Sequence, residues 1–470
     1  RYIFGGGIAG YNNNGEVSGC TNYGYIFSRS TPRLVKFGGI VGRNEGSVAN
    51  CVNETSGSIT IGTAGQKPYS ARLPYVGGII GENTSAAVSN VQNKAPIKIS
   101  RIEDATGSEI RVGGVLGSTT AEIDGTSTMN ISNSGAIAIE NGISSVTLGL
   151  FEGGVVGYTT ASVKNVKNTG ALSHKQTTSL QKLYLSGVVG SVVSTANVEI
   201  SGCENEGDVY FNAATASASG SVEYKENFVG GVLAGTTSNV TISSCKNAGY
   251  VHGGNATKLN GMTLYMGGVV GHLKGQSSIK SCVNTGKIYN DTFNNSNAKE
   301  LSVYAGGVAG FIEGTAENAI TVTNCSVTTA DKETELFGHR RGYSGGIVAY
   351  AEYATISDCT SDRNFNGSAY YLGGIAGWVV NSTISNCDWT GTSITSSQMQ
   401  GAGGIVARLG AGSVVDSCNS YLETTLTKGG TIAGVSEAGS TIKNCHYKTT
   451  SGLGVCSDAN ATQENNVADL

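Results

Sequence analysis

The chain has 470 residues, of which 70 are Gly and only 4 are Pro, with 14% charged side chains and a formal net charge of −4. Abundant glycine without proline argues against a Pro/Gly-rich disordered tract and against a helix-rich domain. Near-balanced charge with no block of one sign leaves no footprint for nucleic acid or an anionic membrane surface, and no stretch reaches the roughly 18 apolar residues of a membrane-spanning helix.

Arg1 enters a repeated pattern almost at once, with no initiator Met and no charged-then-apolar leader. The expectation is a mature product or an excised part of a longer protein. The pattern is a Gly pair, two aliphatic or small residues and usually a further Gly: Gly6-Gly7-Ile8-Ala9-Gly10, Gly38-Gly39-Ile40-Val41-Gly42, Gly77-Gly78-Ile79-Ile80-Gly81 and Gly113-Gly114-Val115-Leu116-Gly117. It continues at Gly153, Ser186, Gly230, Gly267, Gly306, Gly345, Gly373, Gly403 and Gly429, at spacings from 26 to 44 residues. A helical-repeat array tolerates such variation poorly, whereas a β-solenoid absorbs it in loops that leave a fixed coil.

About thirteen residues after each pair an alternating strand ends in Cys or an aliphatic residue, then any residue, then Asn. Cys20, Cys51, Cys203, Cys245, Cys282, Cys325, Cys359, Cys387, Cys418 and Cys445 share the first position, with Val91, Ile131 and Val166 in the remaining coils. Asn22, Asn53, Asn93, Asn133, Asn168, Asn205, Asn247 and Asn284 share the second, and the last five coils abandon it. A Gly two residues further on and a third short apolar strand complete the unit. The runs are short, β-branched and broken by Gly or Asn, with no helical period.

These features predict an all-β chain: a right-handed parallel β-helix of about thirteen coils with three short strands each, continuous over residues 1–458 and closed by a polar cap or tail at 459–470. Parallel crossovers are right-handed as a rule, and stacking at the strand spacing gives a rod on the order of 60 Å long. Equivalent residues then form vertical files. The Cys file reads as buried small hydrophobes, because Val and Ile replace Cys there and stacked parallel strands give poor disulfide geometry. The Asn file reads as a turn position that tolerates left-handed backbone and bonds amide to amide between coils.

Aromatic residues stand two positions before the Gly pair at Phe4, Tyr75, Phe151, Tyr184, Phe228, Tyr265, Tyr304, Tyr343 and Tyr371. The first expectation is a packed stack; the second is a sugar-binding stripe carried by Tyr265, Tyr304, Tyr343 and Tyr371, since tyrosine joins an apolar ring to a polar tip. Insertions at 208–227 and at Asp331, Glu333, Glu335, His339, Arg340 and Arg341 hold the densest charge. In the second, His339, Arg340 and Arg341 are candidate anion binders. The His residues share no metal-like spacing with the Cys, and no metal or cofactor is expected. Sequons such as Asn53, Asn83 and Asn239 match what composition alone would give. Thr is read as scattered in register, which argues against a regular ice-binding face.

The unit of Gly-Gly-Ile/Val, any residue, Gly, followed by the strand to Cys, any residue, Asn, any residue, Gly, resembles the GLUG-type repeats of large secreted and surface-anchored bacterial proteins, adhesins among them. The resemblance covers residues 4 to about 447. It departs in the last coils and at Ser186, Ala349 and Ala407. It implies a solenoid at the cell surface or outside the cell, acting as adhesin or stalk and binding glycans or surface proteins along one face, not an enzyme. A polysaccharide-degrading enzyme of the tailspike kind and a self-assembling fibre or spacer, associating through its solenoid ends, are the alternatives.

Overall fold

The computed structural model describes residues 2–28, 34–62, 74–84, 87–100, 109–140, 149–176, 182–213, 226–254, 263–290, 302–328, 335–337, 342–367, 369–397, 399–448 and 453–470. Among them there is no helix, and the strands form five long sheets in which every pairing is parallel, each strand beside its equivalents in neighbouring repeats. This is a parallel β-solenoid. The coil at Gly149–Gln176 shows the plan: strands Gly149–Gly153, Val156–Thr159, Val163–Lys164, Val166–Asn168 and Leu172–Gln176. The first sheet has thirteen strands, each reaching one of the Gly pairs.

Four or five strands per coil replace the three expected from the sequence, because two of the apparent runs are bent; in the second and third coils the strands Ser47–Asn53 and Val88–Asn93 run through the bend unbroken. The Gly pair splits the first run. The second is split at the residue just before the Cys position, where Asn50, Asn90, Asn165, Ser244, Ser281, Asn324, Asp358, Asn386, Ser417 and Asn444 have φ between 49° and 56°. The left-handed turn therefore falls three residues ahead of the Asn assigned to it. That Asn lies in the fourth strand, with φ outside the left-handed region.

The Asn file itself is a continuous amide ladder. Asn22 Nδ2 donates to Asn53 Oδ1 at 2.9 Å, and the chain of bonds runs on through Asn93, Asn133, Asn168, Asn205 and Asn247 to Asn284 at 2.8 to 2.9 Å. Every member from Asn53 onward is buried, so each bond is made where water cannot replace it. From Asn93 to Asn247 the same amide also donates to the carbonyl two residues on, as Asn168 does to Gly170 at 2.9 Å.

The ladder stops where the next coil carries Val327, and Asn284 Nδ2 has no partner. Its task passes to Arg363, buried two coils further on, whose Nη2 donates to the Gly286 carbonyl at 2.7 Å. Trp389 then fills the column and donates from Nε1 to the Arg363 carbonyl at 2.8 Å. A second file, which the sequence did not signal, joins Asn12, Asn44, Asn83 and Thr119 at the end of the second strand. Asn53 and Asn83 are fully buried in these files, which closes both of those sequons to glycosylation.

The Cys file lines the interior. Cys20 and the off-file Cys456 are half-buried, the others buried, and all eleven are free thiols. Each does more than fill space: Cys359 donates to the Ser357 carbonyl at 3.1 Å and the Val322 carbonyl of the preceding coil at 3.6 Å, and the same pair of bonds recurs along the column. Burial pushes the Cys51 and Cys418 thiols above their ordinary range, which makes them poor nucleophiles.

The two ends differ. At the last coil Thr462–Glu464 adds to the third sheet and Cys456 and Val467 bridge to Ala433 and His446, so the chain covers its own edge. The first coil leaves Ile3, Ile8, Tyr11, Tyr23, Tyr25 and Phe27 exposed.

Candidate functional site

The third glycine of the repeat sets the geometry of one outer corner. An ideal Cβ on Gly310 would lie 2.6 Å from the carbonyl oxygens of both Met266 and Gly271, so the second strand runs close under the first strand of the preceding coil and the position takes only glycine or, at Ala234, Ala349 and Ala407, buried alanine. The outer faces of the first two sheets consequently lean together. Side chains two positions before the Gly pair meet those five positions after its first Gly.

The first of these files is the predicted aromatic column. From Phe151 through Tyr184, Phe228, Tyr265, Tyr304 and Tyr343 to Tyr371, successive ring centroids are 4.7 to 5.4 Å apart, and the last four steps are nearly parallel, at 5° to 15°. Tyr265, Tyr304, Tyr343 and Tyr371 are half-buried. The second file is one that sequence reasoning missed: His272, Phe311, Tyr350 and Trp378, with steps of 5.4, 4.5 and 5.1 Å. Rings meet edge-to-face across the corner, Tyr265 with Phe311 at 5.2 Å and Tyr304 with Phe311 at 5.3 Å. Such pairs contribute about 0.5–1.5 kcal/mol each beyond burial, so the corner is a stiff double ladder.

Stacking along the axis covers the ring faces and leaves edges and hydroxyls outward. An uninterrupted row of open ring faces, the form in which a sugar platform is usually imagined, is therefore not what Tyr265, Tyr304 and Tyr343 present. Burial pushes the Tyr184 and Tyr304 phenols up to about 12 and raises those of Tyr265 and Tyr343, so they remain neutral donors at any ordinary pH. Toward the first coils, cations replace rings. Lys36 Nζ sits 3.0 Å from the Tyr75 ring centre, and Arg111 lies over Tyr75 and Tyr158 at 4.4 and 3.5 Å. At the other end Arg408 covers Trp378 at 4.3 Å.

His272 is nine-tenths enclosed by Phe228, Tyr265 and Phe311 at 4.9 to 5.4 Å. Burial, with smaller contributions from Lys274 and Lys182, lowers its pKa to about 3. The unfolded chain takes up that proton near pH 6.5 while the folded one resists it until about 3, so stability falls as pH drops below 6.5, by up to about 1.4 kcal/mol per pH unit. In His272→Phe, which continues the Phe311 file, the acid limb between pH 6.5 and 5 should flatten, as read from urea midpoints at each pH.

His339, Arg340 and Arg341 lie outside the described residues, as do Asp331 and Glu333. In the chain their insertion leads directly into Gly342–Gly345, the strand that carries Tyr343. The other densely charged insertion ends in the same place, with Glu226 paired to Lys182 at 3.0 Å beside the first sheet. Carboxylates bordering the corner are engaged: Glu313 with Lys274 at 2.7 Å and Glu352 with the Tyr350 hydroxyl at 2.9 Å. Elsewhere Glu152 and His174 form a fully buried 2.7 Å pair inside the coil, sealed from solvent. Among the described residues no three His, Cys, Asp or Glu side chains converge on a metal site.

The reading of Thr as scattered is corrected by the third sheet. Thr241, Ser278, Thr321, Thr355 and Thr383 pair in register on its outer face, with Ser243, Lys280, Thr323, Ser357 and Ser385 beside them. Loops of unequal length between coils hide this alignment in the sequence. Lys280 and then Val414 with Asp416 interrupt the hydroxyl array.

Comparison with known proteins adds no relative: no protein-family model matches the chain, and neither the curated proteins nor the solved structures contain a match.

Proposed function

We propose that this chain is a binding solenoid of the cell surface or extracellular space, an adhesin or ligand-holding stalk, and that its aromatic corner from Phe151 to Trp378 holds a glycan chain lying along the rod axis. The observation that carries this reading is the double file of packed rings, continuous over successive coils, whose Tyr265, Tyr304, Tyr343 and Tyr371 are half-buried and edge it with hydroxyls. Phenol groups repeated at the strand spacing of about 4.8 Å offer a linear polymer the same contact at each coil. Tyrosine supplies an apolar edge and a hydrogen-bond donor together. The rigid ladder orders its side chains before any ligand arrives, which lowers the entropic cost of binding.

A binder is favoured over a polysaccharide-cleaving enzyme because Glu226, Glu313 and Glu352, the acids beside the corner, are each held by a partner. A glycan array on the purified chain, followed by a reducing-end assay on each hit, tests the reading. Binding without cleavage is expected, with Tyr304→Leu weakening a hit about ten-fold, equivalent to about 1.4 kcal/mol. Cleavage, or binding that ignores Tyr304→Leu, overturns it.

A further inference from the structure

At the next corner of the coil the second strand passes into the third sheet, and the connectors there differ in length. Residues 193–197 and 314–319 are long, whereas residues 237–239 and 275–277, in the two coils between them, are short. The strands that follow stay in register, Val198 with Val240, Thr241 with Ser278 and Ser278 with Thr321. The interior beside them is filled by Val192, Leu273 and Ile312. Extra residues can therefore only bulge outward, and residues 195–197 and 315–319 are exposed.

Between these two walls lies a cleft of about 450 Å³, lined by Asn197, Asn239, Thr241, Gln276, Ser278 and Thr321 among others, all of them uncharged. At the strand spacing of about 4.8 Å the walls stand roughly 14 Å apart. Both are tied down. On one side Ser194 N–H donates to Ser238 Oγ at 2.9 Å and Asn197 Nδ2 to Thr241 Oγ1 at 3.3 Å; on the other, Thr315 and Asn318 exchange backbone hydrogen bonds at 3.0 and 3.1 Å. The floor is held by Gln276 N–H, which donates to Asn239 Oδ1 at 2.9 Å, and by buried Ser277, whose Oγ accepts from Val240 N–H at 3.1 Å. What stays open is a set of neutral donors and acceptors: among the described residues Asn239 Nδ2, the Gln276 carboxamide and the Ser278 and Thr321 hydroxyls make no hydrogen bond.

We infer that this cleft is a second carbohydrate site, separate from the aromatic corner and selective for a neutral pyranose unit. Carboxamides and hydroxyls, which between them donate and accept, match the neighbouring hydroxyls of a sugar, each of which does both. No charged side chain lines the cleft. The Lys274–Glu313 and Lys164–Glu199 pairs that flank it, at 2.7 and 3.1 Å, neutralise themselves, and Lys280 lies one outward position further along its strand. A carboxylate or sulfate on the sugar would find no countercharge in the lining to offset its lost hydration. A peptide strand gains nothing here, since the strands beneath are paired on both sides and offer no edge for main-chain addition. The cleft stands whether or not the aromatic corner holds a glycan, because the Lys274–Glu313 pair separates it from His272 and Phe311.

Saturation-transfer NMR on the full chain tests the cleft, with methyl glucoside, methyl galactoside and methyl mannoside as neutral probes and methyl glucuronoside as the charged comparison. Transfer to the ring protons of at least one neutral glycoside is expected, stronger than any to the uronoside. The double variant Gln276→Ala with Thr321→Val, which breaks no hydrogen bond within the protein, should weaken that binding about ten-fold. Ser278→Tyr, which sets a ring on the cleft floor, should abolish it. Urea midpoints of both should match that of the parent chain, and if Ser278→Tyr is destabilised the double variant decides. Tyr304→Leu should leave the transfer unchanged. No transfer from any neutral probe, transfer strongest from the uronoside, or transfer unaffected by the double variant overturns the site. Transfer lost in Tyr304→Leu but kept in the double variant would put the sugar at the aromatic corner, removing the cleft and leaving the proposed function standing; cleft transfer intact beside array binding that ignores Tyr304→Leu does the reverse.

Discussion

Gly154→Ala should cost at least about 4 kcal/mol, beyond the ordinary range of a point change, and leave the middle of the rod unable to close. An ideal Cβ there would sit 2.0 Å from the Gly187 carbonyl oxygen and 2.5 Å from Asn168 Cγ. Neither obstacle is the free end of a flexible side chain: one is backbone of the next coil, the other an amide fixed by the ladder. The second glycine of every pair stands in this position, against Asn133 at Gly114, Asn205 at Gly187 and Asn247 at Gly231. Gly19 is the control. It has φ of 65° with open space around it, and Asn already occupies the equivalent left-handed position at Asn50, Asn90 and Asn165. Gly19→Asn should therefore shift the urea midpoint by no more than the roughly 0.5 kcal/mol of an ordinary surface change.

Asn168→Ala should destabilise the chain by about 3–5 kcal/mol, since each buried polar group left without a partner costs about 1–3 kcal/mol. It removes four bonds at once: from Asn133 and Gly170 N–H to its oxygen, and from its amide to Asn205 and the Gly170 carbonyl. Asn284→Ala should cost less by about 1–3 kcal/mol, because the Asn284 amide already lacks an acceptor and Arg363 satisfies the carbonyl it would otherwise serve. Equal urea shifts for the two variants would contradict the view that the ladder bonds carry the stability, leaving only side-chain volume to explain the loss.

What the sequence disclosed followed from the Gly pairs. Their backbone contacts tolerate almost nothing else, so they stay visible as a frame, and counting from them places Cys51, Asn53 and Tyr75 in files that the structure contains. What it concealed lies where a file accepts several side chains. The second aromatic file is Tyr11, Arg43, Glu82, Ser118 and Tyr158 before it becomes His272, Phe311, Tyr350 and Trp378; a half-exposed corner admits rings, ion pairs and small residues alike. The left-handed turn was credited to the wrong Asn because Asn50 and Asn53 lie three residues apart and either fits that conformation by composition. Arg363 was invisible for a different reason. A buried guanidinium that reaches back two coils is fixed by the vacancy at Val327, a relation between residues that no spacing within one repeat encodes.

Solvent exchange of the asparagine side-chain amides, followed by NMR on chain labelled with ¹⁵N at asparagine, tests the stacked-file account most directly. The carboxamides that bridge Asn53 to Asn284 should form a group protected for hours, set apart from exposed residues such as Asn13. Carboxamide protons that all exchange at the rate of Asn13 would show that no ladder runs through the interior, and the registered corner of rings outside it would lose its support.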